Sequence, residues 1–115
     1  MDYFYGGEAE LFAFYRIPKV LITDERFKQL DCEAKLLYGL LLDRMSLSVK
    51  NEWLDKQGRV FVLFGIDGIM EALGCAHGKA ERLLTDLEHF DLLHRERQGL
   101  GRPSRLYPKR FCRTS

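Results

Sequence analysis

Two short segments with helical spacing of apolar residues meet at a glycine, and this arrangement constrains the fold more than any other feature of the chain. The segments are GIDGIMEALG (residues 65–74) and KAERLLTDLEHF (79–90), and CAHG forms a short turn between them. Their inward-facing residues are Ile69, Met70, Leu73, Ala80, Leu83, Leu84 and Leu87. Asp67 is suited to cap the first helix, and Gly74 is suited to end it. Two helices joined by a short glycine turn predict a helix-turn-helix.

A glycine-rich turn between two strand patterns follows the second segment directly. LLHRERQ (92–98) loses the helical spacing and predicts a strand, GLGRP (99–103) predicts a turn, and SRLYPK (104–109) predicts the returning strand. Gly99 and Gly101 permit the positive φ angles of a tight tip. A hairpin beside the second helix is a wing. We therefore expect a winged helix-turn-helix domain of the α+β class, mostly helical with a small antiparallel β wing.

The residues before this unit predict an arm and short helices. With 115 residues, the chain has room for one domain, which we expect to span residues 1–115. An aromatic-rich arm covers about 1–16 and contains a short strand; it packs either on its own domain or on a second protomer. A helical turn follows at 18–22, and a short helix from Thr23 or Asp24 reaches about Leu30.

The longest predicted helix covers about residues 32–47, with Asp31 as its N-cap. Its leucines at helical spacing are Leu36, Leu37, Leu40 and Leu41. We expect these leucines in the core, with dimer contacts as the alternative. The β-rich stretch 59–64 predicts a strand, within a possible hairpin from 53 to 64.

Positive charge is concentrated at one end of a chain whose net charge is only +1. Residues 1–92 carry 11 Lys and Arg against 16 Asp and Glu, whereas residues 93–115 carry 7 against one. This distribution favours a polyanion as partner. A disordered basic tail is the alternative explanation, and it fits only about residues 110–115.

The composition argues against several other functions. The three cysteines are far apart and form no CxxC pair, which indicates a reduced, cytoplasmic protein. No apolar run is long enough to span a membrane, and no secretory signal is visible. The sequence contains no phosphate-binding loop, no common zinc spacing and no catalytic triad. We therefore expect no cofactor, no metal and no enzymatic activity.

The second helix and the wing carry the residues expected to contact double-stranded DNA. A helix fits the major groove, where Arg82 is suited to a bidentate contact with guanine and His77 or Thr85 to another base edge. Gly78 allows close approach of the backbone to phosphate. Wing arginines would hold phosphates or enter the minor groove. The predicted DNA-binding residues are His77, Gly78, Lys79, Arg82, Thr85, Arg95, Arg97, Arg102, Arg105 and Lys109. Acidic residues in the same helix argue against indiscriminate binding.

The blocks CAHGKAERLLTDLEHFDLLHRERQ and QGLGRPSRLY, with FYRIPKVLI and GRVFVLF upstream, resemble the N-terminal domain of the plasmid replication initiator protein A family of Gram-positive bacteria. The most specific motif is Arg95 to Pro103. The resemblance implies a winged-helix domain that binds repeats in a plasmid or integrative-element origin, commonly as a homodimer, and initiates replication. It also implies a C-terminal domain that contacts host replication proteins. We expect that domain to be missing from this chain.

Two positions depart from the family pattern. Phe90-Asp91 stands where a glycine often precedes the strand, and Pro108 requires an edge or an end in the last strand. Two other functions also remain open. One is a transcriptional repressor with the same fold, and the other is a protein-interaction or dimerisation module that does not bind DNA.

Overall fold

The computed structural model describes residues 1–7 and 13–111, without the side chain of Val49. Within these residues, two short N-terminal helical turns are followed by three helices and three strands. In chain order the elements are α1 (Val20–Thr23), a 3-10 turn (Glu25–Phe27), α2 (Cys32–Lys50), β1 (Val62–Leu63), α3 (Ile66–Leu73), α4 (His77–His89), β2 (Leu93–Glu96) and β3 (Arg105–Pro108). Within the described part of the chain, no helix is long and apolar enough to cross a membrane.

The three strands form one antiparallel sheet in the order β1-β3-β2. Leu106 of β3 lies opposite Val62 on one side and Arg95 on the other. Pro108 ends β3 opposite Leu93 and lies beyond the two residues that pair with β1. The expectation that this proline stands at a strand end is therefore confirmed. Proline has no backbone N–H to donate, and at this position β3 has no β1 partner that would accept one.

The core lies between α2, the α3–α4 pair and the inner face of the sheet. Its central side chains are fully buried and include Leu37, Leu41, Ile69, Leu83, Leu87 and Leu106. Leu36, which was expected in the core, is instead 41% exposed. The helix-turn-helix and the β2–β3 wing are present in the predicted order, so the winged-helix prediction is confirmed.

Several boundaries differ from the predicted ones. α2 continues to Lys50, and α4 begins at His77. Gly65, not Asp67, takes the N-cap position of α3, with φ −73° and ψ 165°. Asp67 lies in the first turn of α3, where its negative charge interacts favourably with the positive end of the helix dipole.

The predicted strand at 59–64 is shorter than expected. Only Val62–Leu63 is strand, and the hairpin at 53–64 is reduced to one bridge between Leu54 and Val60. No strand is present in the described residues of the arm, 1–7 and 13–16. Residues 8–12 of the arm and residues 112–115 of the tail lie outside the described part of the chain.

Candidate nucleic-acid interface

The turn between α3 and α4 sets the direction of the second helix. Gly74 adopts the left-handed conformation, with φ 64° and ψ 41°, and its N–H donates to the carbonyl of Met70. The next N–H, from Cys75, donates to the same carbonyl at 3.1 Å. The chain therefore reverses sharply, and α4 packs its fully buried side, Ala80, Leu83 and Leu87, against the core.

The opposite side of α4 forms an exposed line that we call the outer line. At about 100° per residue, the positions farthest from the buried side are Gly78, Arg82, Thr85 and His89, all of them exposed. His77 is also exposed and begins the helix. Gly78 has open space where a Cβ would be, so the backbone is accessible there. This face is long enough to lie along a groove or against a flat partner.

One flank of the outer line is joined to the first turn of α2 by ion pairs. Lys79 Nζ lies 2.6 Å from Glu33 Oε2, and Arg82 Nη1 lies 2.8 Å from Asp31 Oδ2. Arg82 Nη1 is also 3.5 Å from Asp86 Oδ2 on its own helix. Hydrogen bonding to Asp31 is the main cause that raises the pKa of Arg82. Two of the predicted DNA-contacting cations therefore have carboxylate partners within the domain.

The other flank is joined to the wing by Arg95. Its Nη1 donates to Glu81 Oε2 at 2.9 Å and its Nη2 to Glu88 Oε1 at 2.7 Å. The Arg95 side chain is only 12% exposed. Its burial would lower the pKa, but the hydrogen bonds to Glu81 and Glu88 outweigh burial and raise it. Arg95 is therefore a permanent cation that holds β2 against α4.

The tip of the wing presents two further arginines to solvent. Gly99 and Gly101 have φ angles of 114° and 76°, as the glycine pattern predicted. Arg102 N–H donates to Gly99 O at 3.3 Å, which closes the turn. Among the residues that the structure describes, Arg97 and Arg102 form no ion pair. Both line a crevice of about 210 Å³ between the wing and the start of α3.

Arg105 and Lys109 lie farther back on β3 and are engaged with the domain itself. The Arg105 guanidinium lies 4.5 Å from the centre of the Phe61 ring, and Lys109 forms an ion pair with Asp91. The basic C-terminal segment is thus not uniformly available: Arg95 and Lys109 have acidic partners, whereas Arg97 and Arg102 do not. Arg97 and Arg102, at the wing tip, are exposed cations that are paired with no described carboxylate.

A second polar arrangement, which sequence reasoning missed, fixes the loop before β1. Asp55 accepts hydrogen bonds from the backbone N–H of Arg59 at 2.8 Å, from Nε of Arg59 at 2.7 Å and from the backbone N–H of Gln57 at 2.9 Å. The Arg59 guanidinium lies 5.0 Å from the centre of the Tyr107 ring. Burial would raise the pKa of Asp55, but these hydrogen bonds lower it to about 2.

The pairs formed by Asp31 and Glu33 were also missed. From the sequence, the acidic residues of α4 are expected only to oppose indiscriminate binding. The i,i+4 spacing of Arg82 and Asp86 is a sequence signal for one of the observed pairs. Nothing in the sequence signals the partner of Arg82 that lies 51 positions earlier. Within the described ranges, no three His, Cys, Asp or Glu side chains are grouped so that they could hold a metal ion.

Comparison with known proteins agrees with this architecture. The family described as "Replication initiator protein A (RepA) N-terminus" matches residues 13–115. A curated relative, a "41 kDa protein" of Lactobacillus helveticus, is 33% identical over 99 residues. That match covers 85% of this chain and 28% of the relative, so the chain spans little more than a quarter of the relative's length.

Solved structures show the same fold at higher coverage. One, described as "Structure of Rep-DNA complex", is 36% identical, with a TM-score of 0.80, and covers 99% of this chain and 88% of that chain. Another, "N-Terminal domain of DNA binding protein", is 36% identical with a TM-score of 0.79, covering 99% and 87%. A third, "Structure of MDR initiator", is 32% identical with a TM-score of 0.78, covering 98% and 89%.

Proposed function

This chain belongs to the replication initiator protein A N-terminus family, and from that premise we propose that it binds double-stranded DNA at repeats in a plasmid or integrative-element origin. In this proposal, binding places the initiator at the origin and so begins replication. The domain acts by recognition and not by catalysis. It works as a homodimer, and the initiator also binds host replication proteins.

The observation that carries the proposal is the position of the wing beside the outer line of α4. Arg97 and Arg102 provide positive charge with no acidic partner in the described chain, next to a helix face that is free of covering elements. A duplex presents a groove that admits a helix and phosphates on either side of that groove. The exposed face of α4 fits the groove, and the wing arginines fit the phosphates beside it. The similar structure described as a Rep-DNA complex supports the same partner.

The predicted residues divide into roles by their surroundings. Arg82, Thr85 and His77 are positioned to contact base edges, and Gly78 lets the backbone approach a phosphate. Arg97 and Arg102 contact phosphates or the minor groove. Lys79, Arg105 and Lys109 add charge at the border while keeping their internal partners. Arg95 positions the wing.

A salt titration tests this function. A site is first selected with the wild-type protein from a library of randomised duplexes, and binding to it is compared with binding to a scrambled duplex. We expect tight binding to the selected duplex, and an affinity that falls steeply as salt rises because phosphate contacts release counterions. Equal binding to both duplexes, or none to either, would contradict the proposal and favour a role in protein contacts.

A further inference from the structure

The contact between Asp31 and Arg82 joins two helices but contributes little to stability. Both side chains are about half exposed, at 48% and 51%, and exposed ion pairs contribute little to the free energy of unfolding. The pair nevertheless fixes one specific nitrogen. Nη1 of Arg82 is held by Asp31 at 2.8 Å and is approached by Asp86 at 3.5 Å. The consequence of this contact is therefore the orientation of the guanidinium.

The remaining edge of the Arg82 guanidinium is available. Arginine carries five N–H donors in a planar fork, and its Nε–Nη2 edge is one of the edges that can make two parallel hydrogen bonds. Within residues 1–7 and 13–111, neither Nε nor Nη2 of Arg82 donates a hydrogen bond. The two carboxylates thus leave the edge that fits the O6 and N7 acceptors of a guanine.

Asp31 is itself held firmly. It directly precedes α2, and its carbonyl accepts the N–H of Lys35 at 3.1 Å, the first backbone bond of that helix. α2 packs against α4 through buried leucines of the core. A carboxylate placed on this rigid element restricts an arginine side chain, which otherwise has many rotamers.

We propose that Asp31 is a positioning residue for base recognition: it pins Nη1 of Arg82 so that the Nε–Nη2 edge reads a guanine. This inference rests on the proposed function. An arginine that is already oriented loses less conformational freedom on binding, and it discriminates better because its planar edge fits one base. Asp31 itself does not contact DNA. Its negative charge near the duplex lowers the affinity for all DNA alike, so the gain in specificity comes only from the orientation of Arg82.

Glu33 provides a matched control within the same turn of α2. Glu33 carries the same negative charge as Asp31, so its replacement changes the charge equally. Its partner Lys79, however, has a compact ammonium group without a planar edge. The test variants are Asp31→Ser and Glu33→Ser. Serine at position 31 keeps the ability to cap the helix and is too short to reach Arg82. Loss of charge is equal in both variants, but only Asp31→Ser removes the carboxylate that accepts a hydrogen bond from Arg82.

The experiment selects binding sites from a randomised duplex library with the wild type, Arg82→Ala, D31S and E33S. We expect R82A to lose the preference at one or two base positions. D31S should lose the preference at the same positions by about 5-fold or more, whereas E33S should stay within about 2-fold of the wild type. Both serine variants should bind a scrambled duplex more tightly than the wild type, because each removes a negative charge.

Three results would overturn the positioning role. D31S could keep the wild-type preference, E33S could lose it equally, or R82A could lose no base position. Failure of the proposed function is a separate result, in which the wild type selects no site at all. Asp31→Asn adds a check of cause: it removes the charge but keeps an oxygen that accepts from Nη1. We expect it to retain more base preference than D31S, and an equal loss from both would assign the effect to charge and overturn the proposal.

Discussion

Nη2 of Arg95 lies 2.7 Å from Oε1 of Glu88, and this contact joins the wing to the C-terminal end of the helix that it flanks. The same guanidinium also contacts Glu81, which lies about two turns earlier, so one side chain joins β2 to both of these positions on α4. A residue that the sequence presents as part of a basic, DNA-facing strand therefore sets the angle between the two parts of the candidate interface.

Replacing Arg95 should destabilise the domain. Arg95→Met keeps the apolar stem but removes the donors to Glu81 and Glu88, and we expect the free energy of unfolding to fall by about 1–2 kcal/mol. Arg97→Met is the matched control, because Arg97 is exposed and forms no ion pair in the described residues. It should change stability by less than about 0.5 kcal/mol. Urea denaturation measures both values, and equal effects would assign Arg95 no role in holding the wing.

Removing a cation at the wing tip should weaken DNA binding without changing sequence preference. Arg102→Ala removes one phosphate contact, so the slope of log K against log salt should become shallower by about one unit. Lys50→Ala is the control, since Lys50 ends α2 about 27 Å along the helix axis from its start. Binding isotherms at four or more salt concentrations give the slopes. A slope unchanged in R102A, or reduced equally in K50A, would remove the wing tip from the interface.

The Asp55 carboxylate should make stability depend on pH under acidic conditions. The pKa of Asp55 is lowered from 3.8 to about 2 in the folded state, so its contribution is fully present above about pH 4 and is lost as the pH falls towards 2. Asp55→Asn lacks this titration. We expect the difference in Tm between the wild type and D55N to narrow progressively between pH 4 and pH 2. A difference that stays constant across this range would show that Asp55 titrates normally.

The glycine that ends α3 should be sensitive to substitution for conformational reasons alone. Gly74 has a φ of 64°, and a Cβ there would meet nothing within 4 Å. Gly74→Ala should therefore lower the free energy of unfolding by about 1 kcal/mol through backbone strain.

A substitution at Gly78 distinguishes backbone strain from an effect on DNA contact. Gly78 is also open to solvent, but it lies within α4. Gly78→Ala should leave stability unchanged or raise it by up to about 1 kcal/mol, because alanine favours the helix. At the same time its methyl group should weaken binding to the selected duplex. Thermal unfolding and duplex titration of the same two variants distinguish these outcomes. If G78A binds as the wild type does, close backbone approach at this position is not part of recognition.

Most of the element order could be predicted because its causes are local. Helical spacing around Ile69 and Leu83 sets the two helices, and Gly74 ends the first of them through a backbone angle that glycine adopts readily. The same reasoning placed the wing, because Gly99 and Gly101 permit a tight tip. Boundaries were less accurate: Gly65 took the cap position expected for Asp67, since the irregular chain after β1 already has the extended conformation that an N-cap needs.

The sequence by itself therefore determined the helix-turn-helix, the wing and the concentration of positive charge after residue 92. It did not determine which of those charges an external partner can reach. That was decided when α2 packed against α4, which brought Asp31 to Arg82, and when β2 folded onto α4, which turned Arg95 towards Glu88. Helix and turn formation depend on neighbours a few positions away. The partner of a charged side chain depends on which elements meet in space, and only the tertiary structure sets that distance.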